Sequence, residues 1–78
     1  MKLYEFGKVA QGVTAQYLDV FADGEMLDAV AQIATEQKPY VLETHKYRGY
    51  VTITFDKRCE ENDIEKVKSK ITEFFKRV

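Results

Sequence analysis

Few side chains in this chain have the chemistry to attack a bond: one serine, Ser69, one cysteine, Cys59, and one histidine, His45, in 78 residues. A nucleophile needs a base beside it. Ser69 falls on the polar part of a C-terminal helical stretch. Cys59 lies beyond the end of one strand, whereas His45 is near the turn of the strand before it, so the two are not expected to meet. Carboxylates are paired only as neighbours, Glu60-Glu61, or scattered over helix faces, which leaves general acid–base catalysis without a home. A single cysteine and a single histidine exclude an internal disulfide and a zinc site of ordinary composition. No phosphate loop or dinucleotide fingerprint is present. No metal or cofactor is expected, and a small enzyme is the least favoured of three function classes.

Recognition chemistry is richer. His45, Lys46, Tyr47, Arg48 and Tyr50 gather cations and rings at one place, with Lys57 and Arg58 further along. Rings stack on unpaired bases and cations hold phosphates, so this stretch is a candidate nucleic-acid site. Charge argues the other way. Residues 1–37 carry two lysines against six carboxylates, a net of −4, and residues 38–78 carry ten basic against seven acidic groups, a net of +3. The overall charge is −1 and the pI near 5.8, below the basic range usual for nucleic-acid domains.

The elements that must position these residues follow from pattern. In Tyr40 to Asp56, Val51, Ile53 and Phe55 alternate with Thr52 and Thr54, and Gly49 can supply the positive φ of a tight reversal, so the stretch reads as a hairpin turning at Arg48-Gly49. A two-residue loop places Leu42 and Thr44 beside Phe55 and Ile53, with Glu43, His45, Tyr47, Tyr50, Thr52 and Thr54 on the opposite face. A three-residue loop would instead send Val41, Glu43 and His45 inward. The first is preferred because it keeps Glu43 out of the core. Lys2–Val9 and Val13–Phe21 read as an earlier hairpin joined by Ala10-Gln11-Gly12, with Gly12 left-handed. One of its faces carries Tyr4, Phe6, Leu18 and Val20; the other carries Leu3, Val9, Val13, Ala15 and Tyr17.

Two helices complete the chain. Asp23 is a helix N-cap for Glu25–Gln37, where Met26, Leu27, Val30, Ile33 and Ala34 form one stripe, and Pro39 ends it. Asn62, with Glu65 three residues on, predicts the start of the last helix, whose stripe is Ile64, Val67, Ile71, Phe74, Phe75 and Val78.

The order is ββαββα. It predicts a single α+β domain over residues 1–78: a two-layer sandwich with a four-stranded antiparallel sheet and two helices on one face, the order of a circularly permuted ferredoxin-like sandwich. No signal peptide or membrane-length apolar run is visible, so a cytoplasmic protein is expected. The sheet face left uncovered would carry Leu3, Val9, Val13, Tyr17, Val41, Tyr47 and Tyr50, more apolar surface than a monomer usually exposes. A protein-binding module is therefore the leading expectation, either a homodimer or an inhibitor or adaptor of another protein, with Tyr17, His45, Lys46, Tyr47, Arg48 and Tyr50 as binding residues.

Overall fold

The computed structural model describes residues 3–77. The elements run β1 (Tyr4–Phe6), β2 (Ala10–Gln11), β3 (Ala15–Ala22), α1 (Gly24–Thr35), β4 (Val41–Tyr47), β5 (Tyr50–Asp56) and α2 (Glu61–Lys76). The sheet is antiparallel in the order β1-β3-β5-β4, with β2 also pairing β3. Side chains from both helices meet the same strand face around Leu18, Val20, Val51, Ile53 and Phe55, all fully buried. The α+β sandwich expected from pattern is thus formed, and its strand order is the one obtained by moving the first strand and helix of a βαββαβ sandwich to the end of the chain. No helix among the described residues is long and apolar enough to cross a membrane.

The strand count is five rather than four, and parity explains the extra one. Phe6 and Val9 both pack against the core. Three residues apart, they cannot share a face of a regular strand, whose side chains alternate. The ladder becomes irregular from Gly7 to Val9, although the Gly7 amide still donates to the Asp19 carbonyl at 2.8 Å, and one expected strand is split into β1 and β2. Val9 therefore joins the core side instead of the open face. Gly7 accommodates the irregularity by lying against Phe21 and Asp19 of β3.

The first turn is also displaced. Ala10 and Gln11 pair with Tyr17 and Gln16, and the Gly12 amide donates to the Ala15 carbonyl at 2.8 Å, so the reversal occurs at Val13-Thr14. Among the described residues Gly49 is the one glycine with positive φ, so Gly12 is not left-handed. Val13, 95% exposed, sits in that turn and not on the sheet.

The second hairpin turns at Arg48-Gly49 with Tyr47 opposite Tyr50, the two-residue loop expected, and Gly49 has φ 90°. One part of its register changes. A β-bulge between Val41 and Glu43 puts Val41, not Leu42, opposite Phe55, while Thr44 keeps its place opposite Ile53. Val41 is 4% exposed and Leu42 55%. The device repeats that of Phe6 and Val9: two residues three apart are both turned toward the helices by one extra residue.

α1 starts after Asp23, but the Asp23 backbone carbonyl, not its carboxylate, accepts the Met26 and Leu27 amides at 2.9 and 3.2 Å. Leu27, Val30 and Ala34 are its buried residues, with Met26 and Ile33 flanking them. α2 begins before Asn62. Its box is Glu60 with Asp63, whose carboxylate accepts the Glu60 amide at 3.0 Å, and Glu65 lies one turn inside. Ile64, Val67, Ile71 and Phe75 are buried, Phe74 is half-buried, and Val78 lies outside the described residues. Tyr4 of β1 stacks on Phe75 at 4.3 Å, and its hydroxyl reaches Thr72 at 3.3 Å, which ties the sheet edge to α2.

Candidate functional site

The nucleophilic side chains stand apart. Cys59 is half-buried, its Sγ 3.5 Å from the Tyr40 carbonyl, and burial pushes its thiol above the ordinary range. A thiol held protonated is a poor nucleophile. His45 lies opposite Thr52 on the exposed face, and its Nε2 is 3.0 Å from Glu43 Oε1. From Thr52 to Asp56 the strand runs about 13 Å before it reaches the connection that holds Cys59. Ser69 lines a groove of about 510 Å³ between Phe6 and α2, with Lys68 and Lys76 among its neighbours. Among the described residues no group of three histidine, cysteine or carboxylate side chains converges as metal ligands would.

The face of the sheet away from the helices has a clear order. Strand pairing aligns it in rows, because residues opposite one another in an antiparallel ladder share a face. The first row is Phe21, Tyr50 and Tyr47, on β3, β5 and β4. Their ring centroids are 5.4 Å apart from Phe21 to Tyr50 and 4.9 Å from Tyr50 to Tyr47, the latter pair stacked. Phe21 is 41% and Tyr47 50% exposed. Leu3 lines one shallow depression with Phe21 at the end of this row. The next row is Asp19, Thr52 and His45, with the Thr52 hydroxyl donating to Asp19 Oδ1 at 2.7 Å. The third is Tyr17, Thr54 and Glu43. The Tyr17 ring, 39% exposed, lies so close over Gly12 that a Cβ there would be 2.9 Å from its Cε2.

Of the candidate binding residues, the ladder brings His45, Tyr47 and Tyr50 onto adjacent rows of this face and sets Tyr17 four residues along β3 from Phe21. Lys46 points the other way: its Nζ is 2.6 Å from Asp28 of α1. Alternation explains this, since Lys46 lies between two residues of the open face. Arg48 stands in the exposed turn beyond the ladder. Val41 is absent from the face because of the bulge. Phe21 and Asp19 are present, though sequence reasoning did not select them; the signal was the alternation Tyr17, Asp19, Phe21.

The face is acidic. Glu5, opposite Phe21, Asp19 and Glu43 all belong to it by register, and no lysine or arginine occupies a described ladder position on it. At its far end Asp56 is engaged by Arg58, with Nε to Oδ1 at 3.1 Å, Nη2 to Oδ2 at 3.2 Å, and the Arg58 amide to Oδ1 at 2.8 Å. These bonds hold the Asp56 carboxyl below the ordinary aspartate range and raise Arg58. The arrangement can supply flat ring surface with carboxylates beside it. No family model, no curated protein and no solved structure matches the chain.

Proposed function

We propose that this chain works as a binding module for protein, through the open face of its sheet. The observation that carries the reading is the row Phe21, Tyr50 and Tyr47: three neighbouring rings on three adjacent strands, two of them 40% or more exposed. Rigid aromatic area with polar groups at its margin is what interface centres favour. The chain then acts as a partner, inhibitor or adaptor, without chemistry of its own.

A nucleic-acid site at residues 45–50 is the weaker reading. Lys46 is turned to Asp28, and the rings that remain are accompanied by Glu5, Asp19 and Glu43, which repel phosphate.

The test uses Tyr47→Glu and Tyr17→Glu; each gives up a contact, the stack on Tyr50 or the packing over Gly12, worth about 0.5–1.5 kcal/mol, so thermal unfolding of both is recorded. Solution mass by light scattering across a concentration series, and capture of partners from extract with and without nuclease, are compared with the unchanged chain. The reading requires an association that resists nuclease and is lost in the Tyr47→Glu variant at a temperature where that variant remains fully folded. Association that both variants retain in full would overturn it.

A further inference from the structure

We infer that two copies of this chain pair through the free edge of β4, antiparallel about Thr44, to form one continuous sheet. The surface is distinct from the open face, and the inference stands without the reading proposed for that face. Its ground is the hydrogen-bond phase of the ladder. The Ala22 amide donates to the Gly49 carbonyl at 3.3 Å, which makes Phe21 and Tyr50 a non-hydrogen-bonded pair of β3 and β5. Tyr50, Thr52 and Thr54 therefore turn their backbone groups toward β4, where Tyr47, His45 and Glu43 meet them. Thr44 and Lys46, between these, turn N–H and C=O outward, and β4 is the last strand on that side of the sheet.

The two edges of the sheet differ. β1 has three residues and gives way to irregular backbone from Gly7 to Val9, which blunts its side. From Glu43 to Tyr47, in contrast, β4 pairs regularly over five residues, about 17 Å, with its bulge upstream. Glu43, His45, Lys46 and Tyr47 are exposed, so α1 does not close this edge. Lysine is a residue type that guards edges, but Lys46 is drawn over the helix side to Asp28 at 2.6 Å.

Parity and charge select the occupant and its register. Outward-facing residues must meet outward-facing residues, so a two-fold axis passes opposite one residue of the strand and not between two. Centred on His45 or Lys46 it would set a basic side chain against its own image, and centred on Glu43 it would oppose two carboxylates. Centred on Thr44 it sets each Glu43 opposite His45 of the second copy and brings the Thr44 hydroxyls together. Glu43 and His45 already pair within the chain, Nε2 to Oε1 at 3.0 Å. Across the axis the two pairs lie head to tail, so the four groups alternate in kind. The central Thr44 residues exchange two backbone bonds, and the Lys46 stem of each copy covers Leu42 of the other, 55% exposed in the single chain. Any extended segment would supply the backbone; the strand's own sequence also supplies the matching side chains.

The test is solution mass by light scattering from about 10 µM to about 1 mM, the range suited to a small contact, with amide exchange followed by NMR. A mixture of labelled and unlabelled chains gives interchain proton contacts. Expected are a mass that doubles with concentration, exchange at Thr44 and Lys46 that slows as it does, and an interchain contact between the Hα protons of Glu43 and His45. Tyr17→Glu, on β3 and away from this edge, should leave the dimer intact. Thr44→Pro removes an amide that β5 does not use and should disperse it. His45→Glu and His45→Lys, at an exposed position, keep the test decisive should the proline variant fail to fold. The glutamate variant should dimerise about tenfold more weakly than the lysine variant, because symmetry counts the pair with Glu43 twice. A single-chain mass over the whole range would overturn the inference, as would a dimer that Thr44→Pro retains or equal dimerisation of the two His45 variants. If Tyr17→Glu disperses a dimer in which Thr44 and Lys46 exchange freely, the inference falls and the protein-binding reading of the open face stands.

Discussion

Replacing Gln16 by leucine should unfold this chain more readily than its surface chemistry suggests. Gln16 is 6% exposed, on the helix side of β3, and its amide nitrogen approaches the carbonyls of Asp56, Lys57 and Cys59 at 3.2, 3.1 and 2.9 Å. Its oxygen accepts from Gln11 Nε2 at 2.9 Å, and Gln11 in turn accepts from Lys57 Nζ at 2.7 Å. One side chain thus fastens the β5–α2 connection to β3. Leucine is of similar size and makes none of these bonds. Two N–H groups serve two carbonyls well at any moment, each bond worth about 1 kcal/mol net, and a carbonyl left dry costs about 1–3 kcal/mol more. Lys57 is exposed, so its carbonyl regains water, while Cys59 is half-buried. The expected loss is about 2–4 kcal/mol, roughly 10–25 °C in Tm for a domain of this size. Thermal and urea unfolding followed by circular dichroism measure it, with the m-value unchanged. Gln16→Glu sharpens the test. A carboxylate facing carbonyls has its pKa raised in the folded state, so its deficit should be smallest below the unfolded glutamate value of about 4.3 and grow as pH rises above it. A loss below about 1 kcal/mol for Gln16→Leu, or a Gln16→Glu deficit that does not change with pH, would show that water replaces the amide and that Gln16 is not the fastener described.

Three further outcomes follow from particular contacts. Val41→Ala should cost about 2 kcal/mol, since two methyl groups leave a closed site, whereas Leu42→Ala one residue later should cost less than about 0.5 kcal/mol; equal costs in urea unfolding would contradict the bulge. Gly12→Ala should destabilise by about 1–2 kcal/mol, because a Cβ would stand 2.9 Å from the Ala15 carbonyl oxygen as well as from the Tyr17 ring, while Gly24→Ala, with open space around it in the first turn of α1, should be neutral or stabilising by up to about 1 kcal/mol. Cys59 should react with a disulfide reagent at pH 8 about tenfold slower than an unstructured thiol, since burial raises its pKa, and should reach the free rate in urea; a native rate equal to the denatured one would rule out the buried thiol.

Much of this fold is local information. The stripe of α1, the stripe of α2 and the alternation of Val51, Ile53 and Phe55 are periodicities within single elements, and Arg48-Gly49 specifies its turn through the φ that glycine alone adopts cheaply. Those features alone determine two helices, two hairpins and a sheet covered on one side. Tertiary structure decided what depends on parity and partners. Phe6 with Val9, and Val41 with Thr44, face the helices only because the strands carry an irregularity between them, and nothing local requires an extra residue there; the packing of α1 and α2 above the sheet does. The start of α2 turned on Glu60 and Asp63 bonding reciprocally, where the sequence offers Asn62 and Glu65 equally well. The open face was likewise divided by pairing at a distance. Tyr47 and Tyr50 are neighbours across a tight turn and legible as such, and alternation already turns Lys46 away from them, but Phe21 joins them only through the register of β3 against β5, and only the packing of α1 supplies Asp28 as the partner of Lys46.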